Sequence, residues 1–492
     1  MARKAIAAIH SARTPGRKFF GLPPKISLLS LLVAAGVAKG PMTRTTRTWI
    51  ASLLTACLLI SGAIFCAAPS RPALASPTPD SPKPLSPKDR QEVFENVWKG
   101  VHDRYYDPEF HGVNWEEVGK RYRVQVDGAK DDAEFYALLN KMTGELHDAH
   151  TRFNSPAQWE NRQKNQGVSI GFTMSELDAK VVVTDVLPNS NASAAGIEPG
   201  MIVLTVDGQP IADKIAESAR TVIPSSTERI TRVRVVAGVF KGPADTSYKI
   251  GLQRADASTL EVTIAKQLVP RPPDVTSRAL PSGEAYIRFD GFQIPVEKEF
   301  MEALQKFKDA PGLIIDLRFN GGGRGDVLKT LAGYLYDQKT LFAQYMTRKD
   351  ISSEEKTGSI KGHREMNAGK DGGQIYSGPV VLLTTTGTAS SSEMFAGGLQ
   401  ETGRAKVVGS QTCGCVIGIA NNQKMKGGGV LEVSEVLFFT PKGRKLEGDG
   451  VTPDIPVVPS IADLQQRRDV VLDRAEQLLK TMPSAKSVSA NQ

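Results

Sequence analysis

The sequence contains little cysteine and little histidine, with 4 and 6 residues respectively in a chain of 492. Cys57 and Cys66 lie in an apolar N-terminal stretch, so a chain that loses this stretch keeps only Cys413 and Cys415. Two cysteines one residue apart are no disulfide framework. The sequence also has no His-Glu-x-x-His and no paired Cys-x-x-Cys motif. We therefore expect no metal and no cofactor.

Acidic residues are missing from the first part of the chain. Residues 1–75 contain ten lysines and arginines and no aspartate or glutamate, although the whole chain has a formal net charge of +8. Without this segment, the chain has 51 basic and 53 acidic residues. The basic balance is therefore confined to the N-terminal segment, and we expect no nucleic-acid partner.

The N-terminal segment has the pattern of an export signal. An apolar run at 49–68 follows basic residues and precedes an Ala-x-Ala sequence. This predicts a signal segment at 1–75 with cleavage near Ala75–Ser76, and translation could start at Met1 or Met42. Export would be to the periplasm or to an organelle lumen, and an uncleaved run would tether the protein to a membrane.

The length of the remaining chain predicts two or three domains. The spacing of apolar residues is first typical of helices, then of strands, and finally of strands that alternate with helices. The predicted class is multidomain α+β, with the following segments: a Pro/Ser-rich linker at 76–88, a helical domain at 89–155, a β-rich domain at 163–268, an α/β domain at 270–460, and a C-terminal helix and tail at 461–492. Alternating residues predict a hairpin at Val430–Phe439 that closes the α/β domain, and apolar spacing predicts one last helix at about 461–481.

The β-rich segment resembles a PDZ domain. Strand-like runs at 181–186 and 201–206 flank Ala-Ala-Gly-Ile-Glu-Pro-Gly at 194–200, and Asp-Gly follows the second run. The resemblance implies a β-sandwich-like domain that binds a peptide C-terminus as an added strand. The loop that would hold the terminal carboxylate consists of Gly167, Val168, Ser169, Ile170, Gly171 and Phe172.

A serine-rich segment lies between a predicted strand and a predicted helix. The run Val380–Thr384 is followed by Gly-Thr-Ala-Ser-Ser-Ser-Glu at 387–393. A helix N-terminus favours negative charge that develops beside it, so a serine there could act as a nucleophile. Three serines before a glutamate also match an ordinary helix cap.

Four motifs together resemble the C-terminal processing, or tail-specific, serine proteases. They are Asp-Leu-Arg-Phe-Asn-Gly-Gly-Gly at 316–323, the serine segment, and the glycine-containing runs at 438–444 and 448–454. The resemblance implies an α/β core of the ClpP/crotonase-like type and polypeptide substrates. It also implies Ser390 as nucleophile and an oxyanion hole formed by the backbone N–H groups of Gly322 and Ser391.

The chain departs from this family at the general base. The family places a lysine 25 residues after the serine and a glutamine four residues later, whereas this chain has Cys415 and Ile419. A lysine with a lowered pKa is what activates serine in such a dyad. Either another base replaces it or the protein is inactive.

Residues 411–419 are similar to the branch of the family typified by the tricorn core protease. That resemblance implies His150 as general base and Glu447 as the carboxylate that orients it, in a triad drawn from distant segments. The branch has a serine beside its histidine, whereas this chain has Ala149. His150 could instead be a structural turn residue, and His147 lies three positions before it.

Two questions remain open on the sequence. Cys413 and Cys415 could be two small buried hydrophobic residues or an adjacent redox pair that controls the site.

The main hypothesis for the function is an exported endopeptidase that recognises apolar substrate C-termini. The alternatives are an inactive PDZ-containing adaptor and a small-ligand carrier like the retinoid-binding relatives of the fold. The sequence does not predict the oligomeric state.

Overall fold

The structure is a computed structural model, and it describes residues 84–271, 274–357, 363–370 and 373–483. The described residues belong to one compact unit, Asp80–Gln492. The predicted signal segment, most of the predicted linker and the last nine residues lie outside them. Across the described ranges, no helix is both long and apolar enough to cross a membrane.

Three helices form the N-terminal region: α1 (Pro87–Arg104), α2 (Trp115–Asp127) and α3 (Asp132–Gly144). Ser86 begins α1 with a capping box, because its hydroxyl accepts from the Asp89 N–H and the Asp89 carboxylate bonds back. Apolar residues at helical spacing pack the three helices around one core. Its buried members include Val93, Phe94, Val97, Val101, Phe135 and Leu139.

The next region is mainly β-structure. Its elements are β1 (Arg152–Asn154), α4 (Pro156–Gln163), β2 (Gln166–Ser169), β3 (Phe172–Leu177), β4 (Lys180–Val186), α5 (Asn191–Ala194), β5 (Ile202–Val206), β6 (Gln209–Pro210), α6 (Ile211–Ala219), α7 (Glu228–Ala237), β7 (Ser247–Gln253), β8 (Thr259–Ala265) and β9 (Gln267–Pro270). The main sheet has the order β3-β4-β5-β7-β8, with β6 on β5. β2 and β9 pair separately, and β3 is an edge strand beside α7.

The third region alternates strands and helices. Its elements are β10 (Val275–Ala279), β11 (Ala285–Phe289), α8 (Ile294–Lys306), β12 (Leu313–Asp316), α9 (Gly325–Gly333), β13 (Thr340–Thr347), α10 (Arg348–Thr357), β14 (Arg364–Ala368), β15 (Val380–Thr384), α11 (Ser391–Glu401), β16 (Ala405–Gly409), β17 (Ile417–Gly418), β18 (Gln423–Lys424), β19 (Val430–Glu432), β20 (Val436–Phe439), β21 (Ile455–Pro456), α12 (Ile461–Gln465) and α13 (Val470–Leu479).

A six-stranded sheet organises this region, in the order β10-β11-β12-β15-β16-β21. All of its pairs are parallel except β10 with β11. β12 and β15 are buried along their whole length, as expected for central strands covered on both faces. The carboxyl ends of parallel strands meet at one edge of the sheet. The loops after β12 and β15 therefore start side by side.

Two predicted elements differ in the structure. Val430–Phe439 is not a hairpin, because β19 pairs with β1 and β18 while β20 pairs with β13 and β17. Alternating apolar residues predict strands but not their partners. The single C-terminal helix predicted near 461–481 is two helices, because Arg467 has a φ of 55° and interrupts the right-handed helix.

Candidate active site

Ser390 occupies an unusual backbone conformation at the start of α11. It has φ 59° and ψ −124°, which is rare for a residue other than glycine and costly in energy. Its N–H donates to the carbonyl of Cys415 at 3.0 Å and to Glu393 Oε2 at 3.1 Å. The Glu393 N–H, which a capping serine hydroxyl would bind, donates instead to the main-chain carbonyl of Ser390 at 2.9 Å. The side chain at the cap position is therefore available for chemistry.

The glycine loop after β12 lies directly against this serine. Gly322 has a φ of 98°, and a Cβ there would lie 2.6 Å from the Ser390 Cβ and 3.0 Å from the Ser391 nitrogen. Only glycine allows the two backbones to approach so closely. The two predicted oxyanion-hole residues are thus neighbours. The Gly322 N–H, however, donates to Asn320 Oδ1 at 3.0 Å.

Asn320 connects the glycine loop to the serine segment, a role that we did not predict. Its side chain is completely buried and accepts from the Ser392 hydroxyl at 2.5 Å as well as from Gly322. Its backbone carbonyl accepts from the Ala389 N–H at 3.1 Å. Its position inside the Asp-Leu-Arg-Phe-Asn-Gly-Gly-Gly motif was the available clue.

Glu393 holds a third segment against the same serine. Its fully buried carboxyl accepts from the Thr412 hydroxyl at 2.5 Å, the Gly414 N–H at 2.6 Å and the Cys415 N–H at 3.0 Å. Burial raises its pKa. Glu393 fixes the loop at 412–415 beside the start of α11. The sequence indicates Glu393 only as part of a helix cap and as the last residue of the serine motif.

Cys413 and Cys415 form a disulfide, and both are buried. The structure therefore combines features of both interpretations, since the residues are enclosed and also covalently paired. Position 415 carries no ionisable side chain in this state. In this state position 415 cannot supply a general base.

His150 lies in a tight turn between α3 and β1. Asp148 Oδ1 accepts from the His150 and Thr151 N–H groups, both at 2.6 Å, and from the Ser434 hydroxyl at 2.9 Å. His150 Nδ1 is buried and has no hydrogen-bond partner within the described part of the chain. Burial lowers the pKa of His150 to about 4, so its imidazole is neutral near pH 7. His147, by contrast, is exposed.

Glu447 binds the backbone just after Cys415. Its side chain is 8% exposed, and Oε2 accepts from the Val416 N–H at 2.5 Å. Burial raises its pKa to about 7. Cys415 precedes Val416, and its carbonyl accepts from the Ser390 N–H. Glu447 therefore belongs to the same cluster as Ser390. No hydrogen bond joins the side chains of Ser390, His150 and Glu447 to one another.

Residues from the start of α7 also enter this cluster. The Ser226 hydroxyl accepts from the Ala149 N–H at 3.1 Å, and the Thr227 hydroxyl donates to the Cys413 carbonyl at 2.9 Å. Arg229 Nε donates to the Thr412 carbonyl at 2.7 Å. We predicted none of these contacts, because the residues belong to no motif and their partners are distant in the sequence.

The predicted carboxylate-binding loop is shorter than expected. Gly167, Val168 and Ser169 belong to β2 and pair with Val269, Leu268 and Gln267 of β9. Pairing with a distant strand is not visible in a short run of glycines and apolar residues. The remaining turn is Ile170 and Gly171, in which the Gly171 N–H donates to Ser169 Oγ at 3.1 Å, and Phe172 begins β3. Ile170 and Phe172 are buried in the core of this domain.

Three segments match known domain families. Residues 86–144 match the tricorn protease C1 domain, residues 161–236 match the PDZ domain, and residues 284–457 match peptidase family S41. A chloroplastic C-terminal processing peptidase from Tetradesmus obliquus is 26% identical over 396 residues, which cover 75% of this chain and 78% of the relative. A carboxyl-terminal-processing protease from Synechocystis sp. is 26% identical over 416 residues, covering 81% and 89%.

Solved structures share the fold. The photosystem II D1 C-terminal processing protease has a TM-score of 0.50 at 23% identity, and the match covers 77% of this chain and 96% of that one. Mature CPAF has a TM-score of 0.60 at 15% identity, with coverage of 81% and 99%. These matches bear out the predicted order of a helical region, a PDZ domain and an α/β core.

Proposed function

We propose that this chain is an exported serine endopeptidase that uses Ser390. It has a PDZ domain and a family S41 core, and its relatives are C-terminal processing proteases. One observation carries the proposal. The Ser390 hydroxyl is free of the helix cap, at a positive φ and against the glycine loop, where an attacking oxygen and backbone N–H groups can meet.

In the proposed reaction, Ser390 Oγ attacks the carbonyl carbon of the peptide bond and His150 accepts its proton. The negative charge on the carbonyl oxygen lies near the Ser391 N–H at the start of α11, where the helix dipole favours it. The C–N bond then breaks and His150 returns the proton to the leaving amine. Water hydrolyses the resulting ester on Ser390 by the same proton route.

The acid–base properties of the cluster support a histidine base. Because burial lowers the His150 pKa to about 4, the imidazole is unprotonated and able to accept a proton at neutral pH. The Glu447 pKa of about 7 makes this carboxylate partly ionised at the same pH. An ionised Glu447 would stabilise the imidazolium that forms during attack. The Gly322 N–H would join the oxyanion hole when Asn320 releases it.

Two surfaces could receive the substrate. The open edge of β3 faces α7, so an extended peptide C-terminus can add there as a strand. A cleft of about 480 Å³ lies between the helical region and the third region, and its wall includes Met346, Ile351, Leu437 and Phe439. Tyr106 lines the same cleft. Its pKa is raised mainly by burial and to a smaller extent by the nearby Glu447 carboxylate. Apolar side chains could therefore bind next to the site.

The test is cleavage of an unfolded reporter that ends in apolar residues, using protein that starts at Ser76. We expect Ser390→Ala and His150→Ala to abolish cleavage. His147→Ala is the matched control, because this exposed histidine lies three residues away, and it should cleave like the wild type. Equal activity in wild type and Ser390→Ala would contradict the proposal. Export is tested separately by locating the mature protein and sequencing its N-terminus.

A PDZ-containing adaptor without activity is the second candidate. Three observations favour it: the absence of an ionisable group at position 415, the bond from the Gly322 N–H to Asn320, and the lack of a hydrogen bond between Ser390 and His150. An adaptor would bind the reporter's C-terminal peptide, fail to cleave the reporter under oxidising and reducing conditions, and leave Ser390 unlabelled by a serine-reactive fluorophosphonate.

A further inference from the structure

A second cavity, of about 340 Å³, opens on the PDZ domain. It shares no lining residue with the cleft beside the catalytic cluster. Its wall is aliphatic and combines residues of β4, β5 and α6, namely Val181, Ile202, Leu204, Ile211 and Ile215. Ligand pockets in proteins start at roughly 300 Å³. The cavity is therefore large enough to take a large apolar side chain.

An ion pair borders this cavity. Arg232 Nε donates to Glu176 Oε2 at 2.5 Å, and Arg232 also donates from a second nitrogen to Glu176 Oε1. Glu176 lies on β3 and Arg232 on α7, so the pair spans the groove in which a peptide strand would add to β3. Both side chains are partly exposed. Such a pair costs little to open when a ligand enters.

The place of the pair along β3 determines which part of a peptide meets it. Phe172 begins β3 after the turn that would hold the terminal carboxylate, and its ring lies 5.5 Å from that of Phe240 just beyond α7. Glu176 is four residues further along the strand, or roughly 13 Å. A peptide that runs antiparallel to β3 thus passes the pair with the residue about four positions before its C-terminus. Its preceding residues reach the cavity, whose rim includes Ala179 and Lys180 just past the end of β3.

The charges at the rim are unbalanced. Arg232 and Lys180 carry two positive charges there, against the one carboxylate of Glu176. An acidic residue in the peptide can pair with Lys180, or with Arg232 in place of Glu176, whereas a basic residue finds one partner and two like charges. The rim therefore favours an acidic residue next to the apolar side chain that fills the cavity.

We propose that this cavity is an upstream subsite for the substrate tail. It takes an apolar side chain from the residue five or six positions before the substrate's C-terminus, and its rim selects an acidic neighbour. This inference rests on the proposed function, because it names the class of substrate that the peptidase selects. The β3 edge holds the last residues of the tail mainly through main-chain bonds, and side-chain pockets add the selection between tails.

The experiment measures binding, so its readout does not require cleavage. Fluorescein-labelled ten-residue peptides with the same last five residues are titrated into the Ser390→Ala chain that starts at Ser76, and fluorescence polarisation gives Kd. The first peptide has leucine five and six positions before its C-terminus and aspartate seven positions before it. We expect serine in place of both leucines to weaken binding about tenfold or more. Lysine in place of the aspartate should weaken it about two- to fivefold, and less at high salt.

Two leucines of the protein provide a matched pair of variants. Leu204 lines the cavity and is 38% exposed, whereas Leu268 on β9 is 44% exposed and does not line it. Leu204→Ser should weaken binding of the leucine peptide about five- to tenfold and leave the serine peptide unchanged. Leu268→Ser should bind both peptides like the parent protein. Lys180→Glu should reverse the preference, so that the lysine peptide binds more tightly than the aspartate peptide.

The outcomes separate this subsite from the proposed function. Equal Kd values for the leucine and serine peptides would overturn the subsite, and so would a failure of every peptide to bind. The proposed function would still be decided by reporter cleavage in the wild type and its loss in Ser390→Ala. A wild type that cleaves nothing but prefers the leucine peptide would support the subsite and contradict the peptidase. Should Leu204→Ser not fold, the comparison of peptides on the parent protein decides alone.

Discussion

The Ser390 N–H donates to the carbonyl oxygen of Cys415 at 3.0 Å. The proposed nucleophile is thus joined, through the backbone, to the residue that stands where the processing proteases that this chain resembles carry lysine. The position is still part of the site, but it acts through its main chain. Its side chain is closed in a disulfide with Cys413, so it cannot serve as a base.

Replacing both cysteines should leave the site intact. Glu393 holds Thr412, Gly414 and Cys415 through their hydroxyl and N–H groups, and serine at positions 413 and 415 keeps that backbone. We expect Cys413→Ser/Cys415→Ser to retain activity within a few-fold. The closed loop is very short, so the free energy of unfolding should fall by only about 1–2 kcal/mol.

Reporter cleavage and urea unfolding check this prediction, with the wild type assayed with and without reductant. If reduction of the wild type and the double substitution each lower activity more than about a hundredfold, the cysteines control the site as a redox pair. Reductant should have no effect on the double variant, which makes that variant the control for unrelated effects of reductant.

Two adjacent glycines should respond very differently to alanine. At Gly322 a Cβ would lie 2.6 Å from the Ser390 Cβ, and the φ of 98° is unfavourable for alanine. Gly321 has open space around its Cβ position and no such constraint. We expect Gly322→Ala to lower kcat by at least about a hundredfold, because it displaces the serine and the oxyanion donors. Gly321→Ala should be close to wild type, and similar losses in both variants would contradict this geometry.

Two arginines on α7 provide a further comparison. Arg229 donates to the Thr412 carbonyl at 2.7 Å, in the loop that Glu393 holds. It also donates to the Asp449 carbonyl at 2.7 Å, in the loop that follows Glu447. Among the residues that the structure describes, the Arg232 side chain pairs with Glu176 alone, at the surface. Arg229→Ala should lower kcat about tenfold or more, since the loss of bonds from a charged donor loosens both loops. Arg232→Ala should change kcat less than about twofold. Steady-state kinetics and melting temperature distinguish the two variants, and equal kcat values would contradict the prediction.

Much of the fold could be predicted from local sequence. Val380–Thr384 and Leu313–Asp316 are short apolar runs bounded by turn residues, and both are central parallel strands. The junction after the first of these runs led to Ser390, because strand, loop and helix follow one another directly in the sequence. Local patterns also revealed the domain order. They could not show that Val430–Phe439 divides between two sheets, because alternation predicts a buried face and not a partner.

The contacts that complete the site could not be predicted in this way. Ser226 and Ala149 are 77 residues apart, and Arg229 and Thr412 are 183 apart. Such contacts depend on how the PDZ domain docks against the other regions. Docking of this kind leaves no periodic pattern in the sequence of either segment.

The pair Cys413 and Cys415 was ambiguous for a different reason. Spacing alone does not show whether two enclosed thiols are bonded.

Two buried glutamates should affect stability in opposite directions. The pKa of Glu447 is raised by burial from an ordinary 4.5 to about 7. The folded state therefore binds a proton more tightly than the unfolded state between these values, so the destabilisation by Glu447 grows as pH rises from about 4.5 to about 7 and stays constant above that. Glu432 is also buried, but Arg152 and Arg162 overcome the effect of burial and lower its pKa. Its contribution is present above the unfolded pKa and is lost as pH falls.

Glu447→Gln should therefore raise the free energy of unfolding by up to about 3 kcal/mol at pH 8 and have little effect near pH 4, while it lowers kcat. Glu432→Gln should lower stability at pH 8 by about 3 kcal/mol, because two arginines lose the charge that they pair with. Urea unfolding at both pH values measures the two effects. Destabilisation by Glu447→Gln at pH 8 would mean that the carboxylate is compensated in the folded state. Its pKa would then be too low to control activity near pH 7.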